Sequence, residues 1–246
     1  MKCIAVIPAR LASTRLPRKP LREIAGKTMI ARVYEAVAAS KLVSQTIVAT
    51  DAREVVEHCE KLGIPVRMTS PAHRSGTDRV HEIAGSVEAD IYINVQGDEP
   101  LTRPEHLDLL IRLMQQPGVE VGTLKIACAA ADLSNPNAVK VVCDAAGRAL
   151  YFSRSTIPFD REHSGQVRYF KHLGLYAYRK HALELFCSWP ESGLERIERL
   201  EQLRFLENGV AIHVAETSFE TIGVDTEADL LRAEAVLRER AKMQDT

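Results

Sequence analysis

The stretch VIPARLASTRLPRKPL, residues 6–21, runs a short apolar strand, Ile4 to Ile7, straight into a loop holding Arg10, Ser13, Thr14, Arg15, Arg18 and Lys19. Arginine can clamp phosphate oxygens through two parallel hydrogen bonds, and lysine offers a compact point charge. Pro17 and Pro20 stiffen the chain on either side of Lys19. The loop reads either as a solvated surface turn or as a cradle for a polyphosphate. It lacks the glycine spacing of a Walker A loop, and no G-x-G-x-x-G occurs anywhere, so a dinucleotide fingerprint is absent.

Three other stretches carry chemistry. NVQGDEP places Asp98 just after an apolar strand and Gly97, a glycine able to let the backbone bend or approach a ligand closely. A carboxylate there can hold Mg²⁺, which often takes one or two protein carboxylates and completes its shell with water and phosphate oxygens. The competing role, for Asp98 or Glu99, is to cap the next helix. GVDT sets Asp225 after a further short apolar run, where Asp225 or Thr226 could equally be an ordinary N-cap. SPAHRSGTDR, residues 70–79, offers Arg74, Ser75 and the backbone beside Gly76 either to a base edge or to the start of a helix. Two distant carboxylates and a cationic loop would make a metal–triphosphate site if the fold brought them together.

The elements that must position these residues alternate. CIAVIP, TIVAT, PVRMT and DIYINV read as buried strands. The intervening runs from Met29, from Asp51 as a plausible N-cap to Gly63, from SGTDRVHEIAGSV and from PEHLDLLIRLMQQPG read as helices. This βα alternation predicts a parallel sheet covered by helices, with ligands beyond the carboxyl ends of its strands. The second half predicts longer, partly antiparallel strands over VGTLKIAC, AVKVVCD, RALYFSR and HLGLYAYR, with DAAG at 144–147 as a tight turn. A helix over LERIERLEQLRFLENG, short strands AIHVAE and TIGVD, and a last helix from Thr226 to about Lys242 complete the pattern. We read one continuous domain, 1–246, with a mixed sheet and an inserted β-rich lobe at about 138–190.

The 246 residues suffice for a sizeable core. The net charge of -1 gives no reason to expect nucleic acid or a membrane surface as partner, and makes the basic loop a local feature. No apolar run approaches the roughly 20 residues of a spanning helix, and the N-terminus lacks the pattern of a signal peptide, which predicts a cytoplasmic protein. Five widely spaced cysteines without C-x-x-C predict reduced, mostly buried thiols rather than a disulfide framework or zinc site.

Together these stretches resemble the 3-deoxy-manno-octulosonate (Kdo) cytidylyltransferases, the CMP-Kdo synthetases. IPARLASTRLPRKPL, GKTMI, IVATD, HRSGTDR, NVQGDEP, NPNAVKVV, ALYFSRSTIPFDR, HLGLYAYR, LERIERLEQLRFLENG and GVDTEADL occur in the family's order over nearly the whole chain. The resemblance implies the Rossmann-like fold of the nucleotide-diphospho-sugar transferases, a mainly parallel mixed sheet flanked by helices with a β-rich dimerisation lobe. It implies transfer of CMP from CTP to the C2 hydroxyl of Kdo with Mg²⁺, release of pyrophosphate, a place in lipopolysaccharide synthesis, and a homodimer. It assigns Arg10 and Lys19 to the triphosphate, with Pro8, Ala9, Ser13, Thr14, Arg74, Ser75, Gly76, Gln96 and Asp98 as further nucleotide contacts. Asp98 and Asp225 would hold magnesium. Gln96, Arg154, His172, Glu201 and Gln202 are the sugar candidates, Arg154 being the cation chosen for the Kdo carboxylate.

The family commonly has glycine where this chain has Arg18, and the expectation is an ordinary backbone conformation there with a phosphate- or solvent-facing cation. The nearest rivals are an acylneuraminate or amino-Kdo cytidylyltransferase, a glycosyltransferase, which would usually carry D-x-D where this chain has Asp98-Glu99-Pro100, and a non-catalytic nucleotide-binding regulator.

Overall fold

The computed structural model describes residues 1–12 and 16–244. The chain divides into two compact units, Met1–Asp108 with Glu220–Thr246, and Leu109–Phe219.

The first unit opens with β1 (Cys3–Ala9), every residue of which is buried. A 3-10 turn (Lys19–Leu21) and a small hairpin of β2 (Glu23–Ile24) and β3 (Lys27–Thr28) lead into α1 (Met29–Ala38). Then come β4 (Gln45–Thr50), α2 (Arg53–Lys61), β5 (Val66–Met68), α3 (Gly76–Ser86), β6 (Ile91–Asn94) and α4 (Pro104–Met114). The four longer strands run parallel in the order β5-β4-β1-β6. By their order in the chain this is 3-2-1-4, the doubly wound arrangement whose direction reverses between the first and fourth strands. Hydrophobic residues fill the strands, Ile4, Val6, Ile7, Val48 and Ile93 all being fully buried, and α1 covers them with Ile30, Val33 and Val37. Gly63 ends the second helical segment at φ 69°, as the sequence suggests.

In the second unit β7 (Val121–Ala127) is followed by β8 (Lys140–Cys143) and β9 (Ala149–Ser153), a hairpin turning through 144–147 with Gly147 at φ 79°. Then come β10 (Phe170–Tyr178), α5 (Lys180–Ser188), α6 (Gly193–Glu198), α7 (Leu203–Glu207) and β11 (Ile212–Glu216). β11 pairs with β7 in parallel, while the β7–β10, β10–β8 and β8–β9 pairs are antiparallel. The chain closes in the first unit with α8 (Glu227–Gln244).

Four expectations need correction. Asp51 does not cap α2, whose N-cap position is Ala52 without a side-chain bond; Asp51 is instead held by Arg79 at 2.5 Å. The run LERIERLEQLRFLENG is two short helices, broken at Arg199 with φ 55°. The break lets Arg204 reach Glu195 at 2.5 Å, a nine-residue separation that a continuous helix would stretch to about 13.5 Å along its axis. TIGVD forms no strand, and α5 had not been read, although Ala182, Leu183 and Phe186 bury one face of it. Of the five cysteines only Cys3 and Cys59 are buried, the other three being half-buried.

Candidate active site

A cavity of about 330 Å³ opens in the first unit where β1 and β6 end, the point at which strand order reverses. Open parallel sheets offer ligands that position because the two neighbouring loops leave in opposite directions. Its lining takes Pro8, Ala9 and Arg10 from the end of β1, Lys19 from the 3-10 turn, Gly76 and Arg79 from α3, Gln96, Gly97 and Asp98 from the loop after β6, and Asp225.

Three charged residues of its lining, Lys19, Asp98 and Asp225, come from far-separated parts of the chain, and an apolar cluster explains why they meet. Leu16, Ile24, Met29, Leu101, Val224, Leu230 and Ala233 are buried together. Leu16 and Ile24 flank Lys19, Leu101 follows Asp98 by three residues, and Val224 directly precedes Asp225. The Val224 N–H also donates to the Asp98 carbonyl at 2.9 Å. Burying these side chains thus aligns the three segments. Lys19 Nζ donates to Asp98 Oδ2 at 2.7 Å and to Asp225 Oδ1 at 2.8 Å. Two oxygens bound to one nitrogen lie no farther apart than the sum of those distances, 5.5 Å. Burial opposes the charge on Lys19, but Asp98 and Asp225 outweigh it and raise its pKa above the usual lysine value.

Gly97 is needed for steric reasons. A Cβ at this position would lie 2.6 Å from the Pro8 carbonyl oxygen, so only glycine lets the Asp98 loop lie against the end of β1. The anticipated close approach is therefore to the protein's own backbone. Arg18, just before Lys19, stands at φ 57°, ψ 31°, in the left-handed region, where an ordinary conformation had been expected. Its guanidinium pairs with Glu54 at the start of α2 rather than facing the cavity. Arg10 is exposed and donates weakly to the His73 carbonyl at 3.4 Å.

The loop from 70 to 75 is tied down by its own helix. Ser75 accepts from Asp78 N–H, and Asp78 Oδ2 accepts from the N–H groups of Arg74 and Ser75. Ser75 is therefore the N-cap of α3, and neither it nor the exposed Arg74 lines the cavity, whereas Gly76 does. Glu82 accepts from Ser70 N–H at 2.9 Å and pairs with His73. Burial works against its ionisation, but those bonds prevail and hold its carboxyl below the usual value. Ser13 and Thr14 lie outside the described residues.

Sequence reasoning overlooked Arg79. It is fully buried, donating to Thr69 Oγ1 at 2.6 Å, to the Ser70 carbonyl at 3.2 Å and to Asp51, and so ties together the ends of β4, β5 and the start of α3 under the cavity. The available signal was a cation on the apolar stripe formed with Val80 and Ile83.

Four sugar candidates belong to the second unit. Arg154 spends its guanidinium on the carbonyls of Glu198, Pro136 and Arg199, at 2.7, 2.9 and 3.2 Å, leaving one N–H on each terminal nitrogen. His172 Nε2 lies 3.0 Å from Thr123 Oγ1, which is also 3.2 and 2.8 Å from the Leu173 and Leu175 carbonyl oxygens. Burial pushes the imidazole pKa down to about 3. Gln202 is buried, its Nε2 without a hydrogen-bond partner among the described residues. Glu201 is half-buried beside it.

Two carboxylates facing a lysine where a doubly wound sheet reverses are the equipment of a nucleotidyl-transferring enzyme. The sequence profile of the cytidylyltransferases matches residues 4–217. A protein of Koribacter versatilis, called 3-deoxy-manno-octulosonate cytidylyltransferase, is 64% identical over 240 residues, covering 98% of this chain and 92% of its own. Its namesake in Acidobacterium capsulatum is 56% identical, over 98% and 99% of the two chains. Among solved structures, CMP:2-keto-3-deoxy-manno-octonic acid synthetase in complex with CTP superposes with a TM-score of 0.93 at 44% identity, covering 98% of this chain and all of that one. The chain belongs to the 3-deoxy-manno-octulosonate cytidylyltransferase family, and its fold is the Rossmann-like nucleotidyltransferase fold.

Proposed function

We propose that this protein transfers CMP from CTP to the C2 hydroxyl of Kdo and releases pyrophosphate, activating the sugar for lipopolysaccharide synthesis. The observation that carries the site is the meeting of Lys19, Asp98 and Asp225 in the cavity after β1 and β6. The family relationship supports the choice of CTP and Kdo. In the reaction the C2 oxygen attacks the α-phosphorus in line. The bond from that phosphorus to the bridging oxygen breaks, and the electron pair leaves with pyrophosphate.

Charge neutralisation and alignment are what this chain supplies. Lys19 and Arg10 receive phosphate oxygens, and the Pro8–Ala9 backbone and Gly76 bound the nucleotide. The fit to Mg²⁺ is good: two hard carboxylate oxygens already converge on one cation. Asp98 and Asp225 would hold the metal, with phosphate oxygens and water completing its shell. Bound there it would neutralise phosphate charge and acidify the attacking hydroxyl. Gln96, His172, Glu201 and Gln202 are the proposed contacts to sugar hydroxyls. His172, neutral at working pH, can serve only as a hydrogen-bonding group. The two N–H groups left on Arg154 are the proposed seat of the Kdo carboxylate.

The test is pyrophosphate release from CTP with and without Kdo, Mg²⁺ and competing acidic sugars. Release must require Kdo and the metal, and Asp98→Asn must lower turnover by at least ~100-fold with the fold intact. Release without sugar, or a preference for an acylneuraminate, would overturn the reading. We also propose a homodimer through the second unit, on the ground that Leu150, Phe159 and Ile197 there are 61%, 79% and 79% exposed; light scattering at the monomer mass would remove it. Among the described residues no helix is long and apolar enough to cross a membrane. We assign the reaction to the cytoplasm, where its nucleotide is made.

A further inference from the structure

The residues that would receive the triphosphate and those that would hold the metal are bonded to each other. One ammonium, Lys19 Nζ, donates to both candidate metal ligands, at 2.7 and 2.8 Å. While it bridges them, only its third N–H is left for a phosphate oxygen. A divalent ion bound to the same two oxygens would sit close to the ammonium, and two cations at that range repel. We infer that Lys19 is the resident counter-cation of Asp98 and Asp225, and that a divalent ion reaches both carboxylates fully only when an incoming triphosphate draws the ammonium away. This rests on the metal role given to the two aspartates in the proposed function.

The surroundings fit such an exchange. The backbone of Lys19 is fixed: it begins the 3-10 turn, next to buried Pro20 and between buried Leu16 and Ile24. Its four-carbon stem has rotatable bonds that can redirect the ammonium without moving that backbone. Asp98 and Asp225, within 5.5 Å of one another, would repel without a cation between them. Lys19 therefore holds the ligands at binding distance and obstructs the metal at the same time. The triphosphate supplies the competing charge, and its arrival exchanges a monovalent bridge for a divalent one. By linkage, the nucleotide must raise the affinity for the metal by the factor by which the metal raises that for the nucleotide. Nucleotide and metal then enter together.

The test uses Mn²⁺ alone, titrated into the whole protein without nucleotide or sugar, with free Mn²⁺ read from its paramagnetic resonance signal. Lys19→Met should bind Mn²⁺ about tenfold more tightly than the parent, within the usual range of coupling between sites. Lys19→Arg, which keeps the charge, should stay within about threefold of the parent, and adding Asp98→Asn to Lys19→Met should abolish the gain. Equal or weaker binding by Lys19→Met, with circular dichroism and melting like the parent's, would overturn the inference. Lys19→Gln gives the same comparison should the methionine variant not fold. No reaction occurs in this assay. A tenfold gain in a protein that makes no CMP-sugar would sink the transferase reading alone, and an active enzyme without the gain would sink this one alone.

Discussion

Gly97→Ala puts the tightest backbone contact of the site to a quantitative test. The new Cβ would lie 2.6 Å from the Pro8 carbonyl oxygen and 3.5 Å from Ile7 Cγ2. The oxygen cannot retreat, because Pro8 is a buried residue of β1 in register with Ala49 of β4. The 96–98 loop must therefore give by several tenths of an ångström, and it takes with it the Asp98 carboxylate, now 2.7 Å from Lys19. Overpacking of this kind costs about 1–3 kcal/mol. In a chain of this size that lowers the melting temperature by about 2–12 °C. Misplacement of a reacting group on the ångström scale costs up to about 100-fold in rate, so turnover at saturating CTP should fall by about 10- to 100-fold. Gly85→Ala is the control: nothing lies within 4 Å of its Cβ inside α3, and it should gain about 0.5–1 kcal/mol. Differential scanning calorimetry and pyrophosphate release read both variants. Parental melting and parental turnover in Gly97→Ala would refute the argument from close approach.

Three further outcomes are expected. Arg18→Gly and Arg18→Ala both lose the Glu54 pair, but only glycine is at ease at φ 57°, so the glycine variant should be more stable by about 1 kcal/mol in urea unfolding; equal midpoints would mean that no strain is stored there. Asp51→Asn leaves the fully buried Arg79 facing a neutral partner and should cost about 3 kcal/mol, whereas a loss under about 1 kcal/mol would show the pair to be incidental. The folded His172 pKa of about 3 lies below its unfolded value, so its stabilising contribution is whole above about pH 6.5 and drains away as pH falls toward 3. His172→Gln should therefore flatten the acid limb of a stability–pH curve by up to about 1.4 kcal/mol per pH unit, and an unchanged slope between pH 6 and 4 would contradict the burial.

The strands and their ends were legible because buried parallel strands are continuous apolar runs, and polar residues appear abruptly where they stop. Ile7 to Arg10 and Val95 to Asp98 are such edges, and their polar ends, Pro8–Arg10 and Gln96–Asp98, line the cavity. The family resemblance added Asp225 to this set, which local pattern alone left as a helix cap. What sequence could not supply was its proximity to Asp98. That depends on Leu16, Leu101 and Val224 burying one another, a contact between segments that carries no local signature. The misreadings have the same origin. Asp51 looks like a cap because aspartate before a helix usually is one, but a cation buried on α3 claims it first. LERIERLEQLRFLENG looks like one helix because its leucines and charges keep helical spacing, yet the Glu195–Arg204 pair and the left-handed Arg199 divide it.

These cases share an ordering of energies. A helix cap is worth about 1 kcal/mol, while an unpaired buried guanidinium costs several, so Arg79 takes Asp51 and α2 starts without a side-chain cap. The same comparison orders the active site. Asp98 and Asp225 as near neighbours demand a cation, and the chain provides one in Lys19. A site built around two converging carboxylates must carry a positive charge at every stage, and the reaction cycle then changes which positive charge occupies it. If that is so, removing Lys19 should damage catalysis for a reason separable from lost phosphate contact. In the Lys19→Met variant the metal would already be held before the nucleotide arrives, so the Mg²⁺ concentration giving half-maximal rate should fall while the CTP requirement rises. A simple phosphate contact would raise both or leave the metal requirement unchanged.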